Sequence, residues 1–228
     1  MTYPTYSPQA RRVDLSLGFF YTFMFLASIW SVSFTNWFLF GGSLSQFGIR
    51  PHDTAGLVGI VFSPFLHVDI HHLISNSIPG AVFCFLVAST GQRPFWEVTI
   101  ISVLVGGLGT WAVGGAGTVH IGASGLLYGW LTYLVLRGFF NRSGGQIITG
   151  LTLAFFYSGL IYGVLPTNGQ MSWEGHLFGA IGGAAAAALI KSDDKPKSIP
   201  SQRNYEIENG QRYLSLIHIS EPTRQEAI

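Results

Sequence analysis

The chain has 228 residues, of which 48% are hydrophobic and only 10% charged, and its formal net charge is +1. Soluble domains carry about 25% charged residues, so the composition argues against a water-solvated domain, and the near-neutral charge argues against nucleic acid as a partner. Cys84 is the single cysteine, which rules out an intrachain disulfide and a thiolate metal cluster and leaves it as a small buried hydrophobe.

In chain order, six apolar stretches approach the roughly 20 residues that a helix needs to cross a bilayer. They lie near 16–38, 70–88, 96–113, 123–140, 146–164 and 174–190. The first follows Arg11 and Arg12 but lacks a small-residue cleavage site and is long for a signal-peptide core, so it reads as a retained span. Arg93, Arg137, Arg142, Lys191, Lys195 and Lys197 join Arg11 and Arg12 in alternate loops and the two ends, whereas the opposite loops hold only Arg50. The positive-inside rule then puts both termini in the cytoplasm, with the loops at 39–69, 114–122 and 165–173 outside. Residues 1–15 are the expected cytoplasmic lead-in, and 16–190 the six-span domain. The stretch KSDDKPKSIPSQRNYEIENGQR within 191–213 reads as a polar cytoplasmic tail. The stretch LSLIHISEPTRQEAI at 214–228 resembles a translated sequencing adapter and is expected to be non-native, His218 included.

Polar side chains inside spans are costly and mark function by default. Ser124 follows the glycine-rich stretch VGGAGTVHIGA and opens the fourth span. A helix starting there leaves free N–H groups and a positive dipole end beside the hydroxyl, a setting for an oxyanion. The simpler alternative is a capping or packing serine. The soluble nucleophile elbow does not fit, because position 126 is leucine where that motif needs glycine. A nucleophilic serine needs a base. His176 lies near the outer end of the sixth span, with Gly179 and Gly183 on the same helical stripe. Such a small-residue stripe lets two helices approach closely; an interfacial histidine bonded to a loop is the alternative. His72 and Asn76 are four apart and share a face at the start of the second span. They could donate to a carbonyl oxygen, or simply join two helices. His67, Asp69 and His71 lie just outside that span. His67 and His71 have a spacing that a zinc site could use, but HExxH is absent and no metal is expected.

Taken together, these motifs resemble the rhomboid intramembrane serine proteases, in particular their bacterial, six-span form. The matching residues are His67, His72 and Asn76 in HVDIHHLISN, then Gly122, Ala123, Ser124 and Gly125 opening the fourth span. Tyr128 follows one turn later, and His176 with Gly179 and Gly183 completes the set; FGIRP at 47–51 is also similar. The likeness runs from about 45 to 190. It departs in lacking a Trp-Arg pair in the first outer loop and a seventh span. It implies an all-α membrane bundle of six spans with a short fourth helix beginning at the serine. Ser124 would be the nucleophile and His176 its base, with Tyr128 stacked on the imidazole in place of a third, acidic member. The Ser124 N–H, His72 and Asn76 would form the oxyanion hole, and His67 would support the loop or hold water. No cofactor is implied. The implied partners are the lipid bilayer and membrane-anchored protein substrates whose helix unwinds near the outer surface, with gating in the fifth span and the 165–173 loop. The implied location is a prokaryotic inner membrane. Two rival functions stand beside this one. A silent scaffold that binds transmembrane clients would usually lack the serine or the histidine. A small transporter would favour charges at mid-span.

Overall fold

The computed structural model describes residues 14–166 and 172–190. The expectations placed on 1–13 and 191–228, and on the centre of the 165–173 loop, lie outside the described residues. Among the described residues the chain is helical, with one isolated antiparallel bridge between Ile49 and His120.

Helix α1 (Leu15–Leu39) starts at Asp14, whose carboxylate accepts the Leu17 N–H at 3.1 Å. It is apolar on all sides, and only Gly18, Ile29, Ser33 and Asn36 are buried. Many of the others, including Phe19, Phe23 and Phe38, are exposed, and the rest are half-buried. A helix apolar all round faces lipid rather than water. Gly41 and Gly42 take positive φ and end it. The loop between α1 and the next long helix is then built from short turns, Ser43–Phe47, Thr54–Val58, α2 (Gly59–Phe62) and Ser63–Phe65. Asp69 caps α3 (Ile70–Ala88) by accepting the His72 N–H at 2.8 Å. Helix α4 (Gln92–Val113) follows after Gly91, and a glycine-rich loop leads to α5 (Ser124–Asn141).

Helix α5 is the central element, packed on α3, α4, α6 (Gly144–Phe156) and α7 (Trp173–Leu189). Its Leu127, Trp130, Tyr133 and Leu134 meet Phe83, Val87, Phe95 and Val98 from α3 and α4 in one buried cluster. Trp130 is 1% exposed, and its indole N–H is satisfied by the Thr99 hydroxyl at 3.0 Å. Cys84 is buried in the same cluster.

Among the described residues three helices, α1, α3 and α4, are each long and apolar enough to cross a membrane. The fifth stretch differs from its expected form. Instead of one helix over 146–164, α6 stops at Phe156 and a 3₁₀ segment, Ser158–Val164, continues at 70° to it. A uniform hydropathy cannot reveal such a break. Sharp bends occur at Gly/Ser pairs, and Ser158–Gly159 stands at this one. Its consequence is that carbonyls of the 3₁₀ leg turn toward the centre of the bundle.

Candidate active site

The site forms where α5 and α7 begin side by side. Gly122, just ahead of α5, has φ +118°, a conformation that favours glycine. A Cβ there would stand 2.6 Å from the His72 ring. The first helical bond of α5 runs from the Leu127 N–H to the Ala123 carbonyl at 3.1 Å. The N–H groups of Ser124, Gly125 and Leu126 therefore have no acceptor within the helix.

Ser124 Oγ lies 2.8 Å from His176 Nε2. The other ring nitrogen, Nδ1, is 2.9 Å from the Gly163 carbonyl oxygen. A carbonyl can only accept, so Nδ1 carries the proton and Nε2 is left to accept the Ser124 O–H. The tautomer follows from a backbone group rather than from a carboxylate. Tyr128 stacks on the imidazole with ring centroids 4.3 Å apart and planes at 14°. Its hydroxyl donates to the Leu160 carbonyl at 2.6 Å. Both carbonyls belong to the 3₁₀ leg after the bend. His176 and Tyr128 are buried, whereas Ser124 is half-buried.

The glycines explain how close the two helices come. A Cβ at Gly179 would strike the Gly125 carbonyl, and one at Gly183 would strike the Gly129 carbonyl. A Cβ on Gly125 would meet the Gly175 carbonyl at 3.1 Å. The stripe expected from the sequence is thus the contact surface of α7 on α5.

His72 and Asn76 reach the same place from α3. Asn76 Nδ2 donates to the His72 carbonyl at 3.0 Å, which uses one of its two N–H bonds. The His72 ring and the Asn76 amide both flank Gly122, two residues ahead of Ser124. His67 stands further back. It is fully buried, its ring edge-on to His72 at 5.0 Å and its Nδ1 3.3 Å from Ser33 Oγ. Trp37 donates to its carbonyl at 3.1 Å. Burial, with the neighbouring His72 charge second, pushes His67 down to about 4, so it is neutral at pH 7. His71 is exposed and Asp69 is spent on the helix cap.

Beside Ser124 lies a cavity of about 40 Å³, lined in part by Ser63, Thr110, His120 and Ser172. A water needs roughly 10–15 Å³ of such space, so the cavity has room for about three. The Gly163 and Leu160 carbonyls were not among the candidates from sequence, because a backbone acceptor leaves no residue-type signature.

A family model for the Rhomboid domain matches residues 54–193. Uncharacterized proteins of Mycobacterium tuberculosis and Mycobacterium bovis are each 42% identical over 165 residues, covering 69% of this chain and 69% of theirs. An uncharacterized protein of Mycobacterium leprae is 39% identical over 161 residues, 67% of this chain and 64% of its own. The family match covers more than half of the sequence and includes the helices that bear Ser124, His176, His72 and Asn76, and so the chain belongs to the rhomboid family.

Proposed function

We propose that this protein is an intramembrane serine endopeptidase that cuts membrane-anchored proteins in or near their transmembrane segments. The observation that carries the reading is the bond from Ser124 to an imidazole whose proton is held on the far nitrogen by the Gly163 carbonyl. Membership of a family whose members are usually intramembrane proteases supports it.

In this reading Ser124 Oγ attacks the scissile carbonyl carbon while its proton passes to His176 Nε2. The oxyanion that forms takes hydrogen bonds from the Ser124 N–H, the second Asn76 N–H and His72. The tetrahedral intermediate collapses as His176 returns the proton to the leaving amine, leaving an acyl-enzyme on Ser124. A water then repeats the sequence, with His176 as base, and releases the acid. The cavity next to Ser124, whose lining includes Ser63, Thr110, His120 and Ser172, supplies room for that water. Tyr128 keeps the imidazole plane aligned, and His67 holds His72 against α1.

A substrate helix hides its carbonyls in its own hydrogen bonds, so it must unwind locally before attack. Substrates with helix-weakening residues near the outer surface fit that requirement. The lysine and arginine distribution supports cytoplasmic termini and an outward-facing site, and the mycobacterial relatives support residence in a prokaryotic inner membrane.

The experiment is labelling of the detergent-purified protein with a fluorophosphonate, which needs no knowledge of the substrate. An activated serine reacts and an ordinary hydroxyl hardly does. We expect labelling at Ser124 alone, lost in Ser124→Ala and His176→Ala and weakened in Asn76→Ala. A folded, inserted protein that never labels would replace this reading with that of a silent client-binding scaffold.

A further inference from the structure

A second serine–histidine hydrogen bond stands beside the first. Ser172 Oγ is 2.7 Å from His120 Nδ1, and Ser124 Oγ is 2.8 Å from His176 Nε2. Each pair is separated by 52 residues, because His120 precedes Ser124 by four and Ser172 precedes His176 by four. The two bonds therefore join the same pair of segments at successive positions, with serine and histidine exchanged.

The proton arrangement of the upper pair is fixed by its neighbours. Thr118 Oγ1 donates to the Gly115 carbonyl at 2.6 Å, so toward His120 Nε2, at 2.8 Å, it acts as acceptor. Nε2 then carries the ring proton, and Nδ1 accepts the Ser172 O–H. Ser172 Oγ in turn accepts the Gly175 N–H as the N-cap of α7. Burial lowers the pKa of His120, which favours this neutral form, and the Glu174 carboxylate opposes the effect. The His120 main chain is also held, exchanging N–H···O bonds of 2.9 Å in both directions with Ile49 of the loop that follows α1.

What this chain of bonds controls is the first turn of α7. The Ser172 carbonyl accepts the His176 N–H at 3.2 Å, so the cap residue is bonded to the base residue directly. We infer that His120 is a positioning residue that, through Ser172, clamps the start of α7 to the loop ahead of Ser124 and so sets the Ser124–His176 distance. The inference rests on the proposed function, since it assigns a role in that reaction. Two anchored points four residues apart fix both the spacing and the rotation of α7 against α5, which one hydrogen bond cannot do.

Three variants test it: His120→Leu, His120→Asn and Ser172→Gly. Asparagine can accept the Ser172 hydroxyl near the position of Nδ1. Glycine keeps most of the N-cap's stability but has no hydroxyl. The probe substrate is a fluorescent single-pass peptide with glycine and proline in the outer third of its helix, and active sites are counted by fluorophosphonate. Per labelled site, kcat should fall about 10- to 100-fold in His120→Leu and in Ser172→Gly, the cost of a base displaced by up to an ångström. KM should stay within about 3-fold, and the two losses should not add in the double variant. His120→Asn should recover kcat to within about 3-fold. Fewer labelled sites with unchanged kcat, a change confined to KM, or labelling transferred to Ser172 would each overturn the clamp. If His120→Leu does not fold, the other two variants carry the test. If the wild type neither labels nor cleaves, the proposed function fails. The clamp is then read from thermal unfolding, where additive effects of His120→Leu and Ser172→Gly would overturn it and coupled effects would uphold it.

Discussion

Replacing Gly179 by alanine adds one methyl group and should disable the site without unfolding the protein. The new Cβ would be driven into the Gly125 carbonyl of α5, with the Gly125 carbonyl carbon and Cα behind it at 2.8 and 3.2 Å. These are backbone atoms in a packed helix, so no side chain can swing aside. Relief requires α7 to move off α5 by about an ångström, since carbon and oxygen do not pack closer than roughly 3.3 Å. Gly179 lies less than a turn from His176 on the same stripe, so most of that shift is felt at the imidazole. The Ser124–His176 separation would grow from 2.8 Å to beyond the range in which a hydrogen bond has useful strength. A misplacement of this size costs about 100-fold in rate. Gly145→Ala is the control, being helical with nothing near its Cβ position. Fluorophosphonate labelling rate and peptide turnover are measured for both, beside thermal unfolding. Wild-type labelling and turnover in a folded Gly179→Ala would refute the argument that glycine contacts set the dyad distance.

Asn76→Ala should lower turnover by about 100- to 1000-fold with little change in KM, the cost of one oxyanion donor; a defect confined to KM would make Asn76 a substrate contact. Tyr128→Phe keeps the ring on His176 but removes the bond to the Leu160 carbonyl, so turnover should fall only a few-fold, about the effect of 1 kcal/mol. Tyr128→Ala should fall much further; equal losses in the two variants would show that stacking is not what matters. His67 makes stability depend on pH. Its folded pKa, about 4, is below the unfolded value near 6.5. Its contribution is therefore complete above pH 6.5 and is lost as pH falls toward 4, about 3 kcal/mol in all. Thermal unfolding in detergent at pH 7 and pH 5 should show a drop for the wild type that His67→Gln reduces, and an undiminished drop would remove His67 from the account.

Most of the bundle was legible because lipid enforces a simple code. Five of the six expected spans end within a few residues of helices α1, α3, α4, α5 and α7, since apolar length is what hydropathy measures. The fifth differs in shape, because the segment Ser158–Val164 as a whole is as apolar as the helix before it. Ser124, His176, Tyr128, His72 and Asn76 could be suspected from their residue types at membrane depth, and the structure brings all five together. The acceptors that orient His176 and Tyr128 could not, since any residue supplies a carbonyl. The His120–Ser172 pair did leave a trace, the equal spacing of two serine–histidine couples, but its meaning depends on α5 and α7 running side by side.

The unequal lengths of the helices bear on where the proposed reaction takes place. At 1.5 Å per residue, the 25 residues of α1 extend about 37 Å and the 17 of α7 about 25 Å. The hydrocarbon layer is about 30 Å thick, so α1 overreaches it and α7 falls short. Ser124 and His176 both sit in the first turn of the shorter elements, α5 and α7. A bilayer can meet such a mismatch by thinning around these helices. Longer acyl chains would then draw the water boundary away from the serine, and shorter ones would bring it closer, making the lipid itself a determinant of how readily water reaches the proposed acyl-enzyme.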